Sequence, residues 1–329
     1  MTLRSLLLLL LLCLAFLPIL QSKLSADYYE KTCPKFSQII QETAVNKQGI
    51  TPTSAAAALR LFFQDCFVNG CDASILITSN FYKKSERDAD ISLSLPGDGF
   101  DVVNRAKSVL ELECPGIVSC ADILAAATRD LIVIVGGPHY EILFGRKDST
   151  ISTKENTDKA FPLPRMPLTQ IISIFGANGF SVQEMVALVG AHTIGFSHCK
   201  EFADRLFNFS KTSDYDPAYN PEYAKGLRIL CENYTEYPTM AAFNDVITPR
   251  KFDNMYYKNL QRGYGLLASD SALVADERTK PFVDMYAANQ SLFFHDFAHA
   301  MQKVSVLNVK TGNEGNVRDR CDSFKELLT

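Results

Sequence analysis

The chain has no excess of positive charge: 33 Lys and Arg stand against 37 Asp and Glu, giving −4 net and a pI near 5.8, which argues against nucleic acid as a partner. No second long apolar run follows the one over Leu6–Leu20, so nothing downstream of the N-terminus reads as a membrane span. There is no internal repeat and no low-complexity tail, which removes solenoids and disordered tails from consideration. Tryptophan is missing altogether from the 329 residues.

What is present begins with Met1–Leu20, where one early Arg4 precedes the apolar run and polar Gln21, Ser22 and Lys23 follow it. This reads as a secretory signal peptide over 1–22, cleaved near Ser22, with a retained anchor as the alternative. The remainder, 23–329, is long enough for one large domain or two closely joined halves. Cys13 lies in the leader, and eight cysteines follow it: Cys33, Cys66, Cys71, Cys114, Cys120, Cys199, Cys231 and Cys321. An even number in an exported chain suggests four disulfides, drawn from roughly 105 possible pairings. Asn208-Phe209-Ser210, Asn233-Tyr234-Thr235 and Asn289-Gln290-Ser291 are glycosylation acceptors, which places those loops at the surface.

Apolar residues spaced by three and four predict helices over Ser54–Val68, Asp101–Glu113, Val118–Val135, Leu168–Asn178 and Ser181–Leu188, so the fold class is all-α with very few short strands. Ser181 with Glu184 forms a capping box, in which hydroxyl and carboxylate each satisfy a free N–H of the first turn. Gly136-Gly137-Pro138 ends the long central helix, and Pro162, Pro164 and Pro167 make a rigid connector.

Several polar residues sit where a plain core would not place them. Arg60, Phe63, Gln64 and Phe67 fall on one helical stripe, so a cation and an amide lie among aromatics. A buried Arg is costly unless it is paired or faces a ligand; the plainer alternative is an Arg snorkelling off an amphipathic face. Asp65, Asp72 and Ser74 surround the Cys66–Cys71 loop with its Asn69-Gly70 turn, a set of hard oxygens that suits calcium and equally suits turn formation. His192, in Val189–Gly195, ends an apolar helix as a metal ligand or a core filler. Asp245, Thr248 and Asp253 offer a second oxygen set, and Asp270 follows a Gly-Leu-Leu turn.

Taken in order, Tyr28–Pro34, Arg60–Ser74, Val118–Asp122, Gly145–Ser149, Ala191–Gly195 and Phe252–Asn254 make the chain resemble the class III secretory plant peroxidases of the horseradish type, over essentially its whole mature length. The resemblance implies a mainly helical haem peroxidase domain over 23–329, with two helical halves enclosing one haem b and two calcium ions bracing them. It implies that His192 is the proximal haem ligand, with Asp270 accepting the other ring N–H and pushing electron density toward the iron. The first calcium set is Asp65, Asp72, Ser74 and the carbonyls of Val68 and Gly70, together with Glu86. The second is Thr193, Asp245, Thr248, Asp253 and the Lys251 carbonyl. The implied disulfides are Cys33–Cys114, Cys66–Cys71, Cys120–Cys321 and Cys199–Cys231, and Pro162 matches the proline at the family's substrate entrance.

On the distal side the resemblance breaks. Arg60 and Phe63 match, but the residue four after the arginine, a histidine in the family, is Gln64. An amide donates and accepts hydrogen bonds yet has no usable proton affinity, so Gln64 orients peroxide and cannot serve as its base. General acid–base catalysis contributes about 10²–10⁴-fold, and a loss of that order is expected in peroxide activation. Arg60 is left to stabilise developing negative charge. The asparagine that orients the family's histidine stands here as Ser92, and the paired change implies a relaxed or altered distal site. Asp98-Gly99-Phe100 replaces a common Arg-Gly-Phe, and Tyr140 stands where the family has tryptophan.

The resulting expectation is an oxidoreductase that uses hydrogen peroxide to oxidise phenolic donors, serving hydrogen peroxide catabolism and the response to oxidative stress, and slowed at its first step. The alternatives are a cell-wall haem-binding or sensing protein and a calcium-braced structural glycoprotein without haem. The expected partners are hydrogen peroxide and small phenols, with no nucleic acid, no membrane once the leader is removed, and a monomeric state. The chain stops eight residues after Cys321 without a long apolar extension, which favours export to the cell wall space over a vacuole.

Overall fold

The computed structural model describes residues 24–81, 83–157 and 160–323; the leader read over 1–22 lies outside them. Among the described residues there are eleven α-helices and a single two-stranded sheet, so the all-α expectation holds. Helices α1 (Phe36–Ile50), α2 (Ser54–Val68), α3 (Gly97–Glu113) and α4 (Cys120–Ile134) pack on one another as a first half. The second half contains α5 (Leu168–Ala177), α6 (Val182–Val189), α7 (Pro221–Leu230), α8 (Met255–Gln261), α9 (Ala268–Ala275), α10 (Lys280–Ala288) and α11 (Gln290–Val304). Strand β1 (Phe196–His198) pairs antiparallel with β2 (Ala241–Phe243), setting Phe196 opposite Phe243 and His198 opposite Ala241.

Local chemistry explains where the helices start. Ser119 caps α4 by accepting from the Asp122 N–H at 3.2 Å. Ser181 accepts from the Glu184 N–H at 3.1 Å while the Glu184 carboxylate accepts from the Ser181 N–H at 2.7 Å, the reciprocal capping box read from the sequence. Helix α3 begins at Gly97, before the predicted Asp101, because its first turn is fixed electrostatically and not by apolar spacing. Lys47 of α1 reaches Asp98 at 2.9 Å and Asp101 at 2.8 Å.

One hydrophobic core runs through both halves, with Phe62, Ile123 and Leu124 on one side and Met185, Phe293 and Phe297 on the other. Burying a side chain of this size contributes roughly 1.5–3 kcal/mol. A smaller core forms around Phe202, Leu206, Tyr219 and Leu227, beside the Cys199–Cys231 disulfide. Cys33–Cys114, Cys66–Cys71 and Cys120–Cys321 are the other bonded pairs.

Two of the sequence blocks meet as a buried polar clasp. Asp122 of α4 accepts from Arg146 at 2.7 Å, from the Gly145 N–H at 2.7 Å and from the Tyr29 hydroxyl at 2.7 Å. Both charged side chains are fully buried, so the pair holds only because every oxygen is engaged. Asp148, also buried, accepts from the Ala121 and Arg318 N–H groups at 2.9 Å each. These contacts tie the N-terminal segment, α4, the 145–149 segment and the C-terminal segment together behind the cavity described next.

Candidate functional site

A cavity of about 290 Å³ is lined from both halves. Arg60, Phe63 and Gln64 reach it from α2, and Leu188 and His192 reach it from the end of α6 and the turn that follows. That turn is drawn tightly against its neighbours: a Cβ at Gly190 would lie 2.2 Å from the Tyr257 hydroxyl and 2.6 Å from the Phe293 ring. Only glycine permits this approach, which sets the backbone position of His192 two residues on.

The His192 ring is held from behind. Its Nδ1 lies 2.8 Å from Oδ1 of Asp270, which is fully buried at the start of α9. The same oxygen accepts from the Tyr256 hydroxyl at 2.8 Å, and Oδ2 accepts from the Leu267 N–H at 3.0 Å. Burial acts to raise the Asp270 carboxyl, but His192, the Leu267 N–H and the Tyr256 hydroxyl together outweigh it and hold the pKa below the ordinary value. A carboxylate in that state fixes the Nδ1–H tautomer and leaves Nε2 as the basic nitrogen. Among the described residues Nε2 has no hydrogen-bond partner, and the imidazole side chain is 34% exposed, at the cavity.

The other wall is polar at one point. Gln64 is 4% exposed, and its Oε1 accepts from the Ser92 hydroxyl at 3.3 Å. The same short 3₁₀ turn holds Arg60, whose terminal nitrogens donate to the Ile91 carbonyl at 3.0 Å, the Ser94 carbonyl at 2.9 Å and the Ser94 hydroxyl at 2.9 Å. Arg60 thus lines the cavity with its guanidinium turned to the 91–94 turn. Phe63 packs on Phe67 in a tilted pair with ring centroids 4.1 Å apart and faces Phe161 and Phe175 at 6.4 and 6.0 Å. Pro162 lines the cavity beside Phe161.

The first oxygen set surrounds the Cys66–Cys71 disulfide. Asp65, Asp72 and Glu86 are all essentially buried. Asp65 accepts from the Ala73 N–H at 2.9 Å, Asp72 from the Ser74 N–H at 3.1 Å, and Glu86 from the Ser74 hydroxyl at 3.0 Å. Lys310 pairs with the second oxygen of Asp72. Burial, then the neighbouring Asp72 and Glu86 charges, push the Asp65 carboxyl well above its usual range. Burial likewise lifts Glu86 to about 8, and its Oε1 has no partner. Gly70, at φ +113°, turns the chain out of α2 against Asn308, where a Cβ would lie 2.3 Å from a carbonyl oxygen.

The second set converges more closely. The Thr193 hydroxyl lies 3.5 Å from both Asp245 Oδ2 and the Lys251 carbonyl. Thr248 donates to Asp245 at 3.2 Å and to Asp253 at 3.1 Å. Burial is the largest influence on Asp245 and raises its pKa against the surrounding donors. Among the described residues no cluster of three or more His, Cys, Asp and Glu is gathered for a metal. The first set instead joins carboxylates to the Ser74 hydroxyl, and the second mixes carboxylate, hydroxyl and carbonyl oxygens, the combination a hard cation takes.

Asn208, Asn233 and Asn289 are exposed. Asn289 Oδ1 also caps α11, accepting from the Leu292 N–H at 3.1 Å. Sequence reading missed Tyr256 behind Asp270, Ile91 and Ser94 on Arg60, and Lys310 on Asp72, because each contact joins residues distant in the chain. It also missed His198, which lines the cavity from β1 and whose pKa is lowered by burial, then by Lys200 and Arg60. Its place six residues after His192, in a chain with five histidines, was the available signal.

A family model described as peroxidase matches residues 38–289. The chain is similar to Peroxidase 6 of Arabidopsis thaliana, 57% identical over 309 residues and 94% of each chain. It is 56% identical to Peroxidase 63 of the same plant over 319 residues, 96% of each chain. Peroxidase 31, also from that plant, is 55% identical over 304 residues, 92% of this chain and 94% of its own. The chain belongs to the peroxidase family, in its class III plant branch, and is by that membership an oxidoreductase of the haem peroxidase type.

Proposed function

We propose that this protein is an exported haem peroxidase that oxidises small phenolic donors with hydrogen peroxide, and that Gln64 slows its peroxide-activating step. The reading is carried by one observation: Gln64 and an imidazole backed by a buried carboxylate line the same cavity.

The residues present fit a haem. Phe161, Leu188 and Phe63 supply apolar walls, His198 and Asn244 supply polar groups for the anionic edge, and Nε2 of His192 is free to ligate. When bound, haem supplies the redox-active iron at which peroxide is reduced and donors give up single electrons. His192 would hold it, and Asp270 keeps the ring in one tautomer and raises its basicity. The Gln64 amide donates to an incoming peroxide oxygen and takes no proton from it. Arg60 adds charge stabilisation from the same wall while its terminal nitrogens donate to the 91–94 turn. Pro162 flanks the donor's entrance.

Two calcium ions complete the reading. Oxygens sharing a cation at about 2.3–2.6 Å lie roughly 3–3.6 Å from one another, and the Thr193, Thr248, Asp245 and Asp253 oxygens are spaced by 3.1–3.5 Å. At the first set, the partnerless Glu86 Oε1 and the raised Asp65 and Glu86 carboxyls mark buried acids that a bound cation would favour in their charged form. The disulfides fit an oxidising, extracellular setting, with glycans on the exposed acceptor asparagines. Hydrogen peroxide catabolism under oxidative stress, by a monomer in the cell wall space, follows from this reading.

A second reading, a haem-binding or sensing protein with little turnover, is favoured by Ser92, which engages Gln64 in place of a base–orienter pair. The experiment that tests both is haem loading of the mature chain, with His192→Ala as control, followed by peroxide and a phenolic donor. Stoichiometric, His192-dependent haem uptake with slow donor oxidation supports the enzyme. Haem uptake with no response to peroxide leaves only the second reading, and no uptake ends both.

A further inference from the structure

The contact between Ser92 and Gln64 determines more than the loss of a base. Gln64 is buried to 4% exposure, and so is Ser92, so neither side chain turns to bulk water for its hydrogen bonds. The Ser92 hydroxyl donates to Gln64 Oε1 at 3.3 Å. In the reverse arrangement, with the amide donating to Ser92, the serine hydrogen would be buried without an acceptor, which is unfavourable. With the amide oxygen engaged by Ser92, its two N–H groups are what remains, and among the described residues Nε2 has no hydrogen-bond partner while Gln64 lines the cavity. Both terminal nitrogens of the neighbouring Arg60 donate to Ile91 and Ser94 and none of these bonds goes to Gln64, so the guanidinium does not take the amide oxygen.

We propose that Ser92 positions Gln64 as a fixed hydrogen-bond donor, so that the distal pocket favours small ligands that accept a hydrogen bond as they stand over ligands that must first shed a proton. Halide anions and diatomic gases belong to the first class; hydrogen cyanide and hydrogen peroxide belong to the second. This rests on the haem reading above. Ser92 is a positioning residue here: it touches no ligand and acts through the amide. The paired substitutions at 64 and 92 form one donor unit and not a relaxed pocket, because a glutamine without the serine could turn its oxygen inward and repel the same anions.

The probes are fluoride and hydrogen cyanide, added to the ferric haem-loaded mature chain and followed by the haem absorption spectrum. Native protein is compared with Gln64→Leu, Ser92→Ala and Ser92→Thr. A hydrogen bond to a charged group contributes about 1.5–3 kcal/mol, so Gln64→Leu should weaken fluoride binding about tenfold or more. Ser92→Ala should weaken it in the same direction, and Ser92→Thr, which restores the hydroxyl, should recover native affinity. A serine that merely packs would give alanine and threonine variants with the opposite order or with no difference. The cyanide on-rate should respond far less than fluoride affinity does to Gln64→Leu and Ser92→Ala, because neither removes a base. Fluoride affinity indifferent to both substitutions in a haem-loaded protein overturns this proposal and leaves the haem reading intact. A cyanide on-rate that falls about tenfold or more in Gln64→Leu shows that the amide assists proton removal and overturns it too. A chain that takes up no haem overturns the underlying reading and this one with it.

Discussion

Nδ1 of His192 and Oδ1 of Asp270 are 2.8 Å apart, and that single oxygen also carries the Tyr256 hydroxyl. Replacing Asp270 with asparagine keeps the volume but sets an NH₂ group against either the His192 or the Leu267 N–H. An unmet buried donor costs about 1–3 kcal/mol, and loss of such a partner weakens metal ligation about 10–100-fold. Asp270→Asn should therefore lower the urea midpoint and release haem more readily to a haem-scavenging protein. Native-like haem retention would show that the carboxylate does not support His192.

Much of this pair was legible in the sequence, but for different reasons at its two ends. His192 was visible because it ends an apolar helix inside a motif, whereas Asp270, noted only as following a Gly-Leu-Leu turn, acquired its role through the resemblance, since nothing local says which ring it faces. Tyr256 was invisible, because contact depends on how α8 packs against α9. The five helices with clear apolar spacing were read to within a few residues. The start of α3 was missed because Lys47, from another helix, fixes it. Ser92 was placed by counting from Glu86, with a relaxed or altered distal site as the expectation; that its hydroxyl engages the amide was not legible from the count.

The covalent frame should matter globally. Cys120–Cys321 closes a separation of 201 residues, joining the start of α4 to the C-terminal segment. In a chain-entropy model a loop of that size stabilises by roughly 4–5 kcal/mol. A Cys120→Ser/Cys321→Ser double variant should unfold at clearly lower urea than native protein, and by more than a Cys66→Ser/Cys71→Ser variant does in calcium-free buffer, where the closed loop is short. The reverse order would place the stabilisation elsewhere.

Calcium should stabilise the fold through Asp65, Glu86, Asp245 and Asp253. A ligand at a hundredfold excess over its Kd contributes about 2.7 kcal/mol per site. A calcium chelator should lower Tm, and added calcium should restore it. In Asp245→Asn, which alters one set, the chelator-induced drop should shrink to about half. An unchanged Tm with and without chelator would contradict both sites.

The acid limb of stability should involve Glu184. Burial acts to raise its carboxyl, but the Ser181 N–H and Lys303, at 2.9 Å, outweigh it and hold the pKa below the ordinary glutamate value. A depressed folded pKa contributes stability above the unfolded value and loses it as pH falls through the folded one. The contribution is therefore intact at neutral pH and fades below about 4.5. Glu184→Gln should lower stability at pH 7 and flatten the decline between there and strong acid. A variant whose stability runs parallel to native protein from pH 7 to pH 3 would show that this carboxylate does not contribute to the limb.

The most direct test is rapid mixing of hydrogen peroxide with haem-loaded native protein and with Gln64→His, following the haem absorption band. An imidazole at position 64 restores a proton acceptor, and general acid–base catalysis of this kind contributes about 10²–10⁴-fold. The account predicts that the histidine variant reacts on the order of 10² times faster or more. Equal rates in two fully loaded proteins would contradict it.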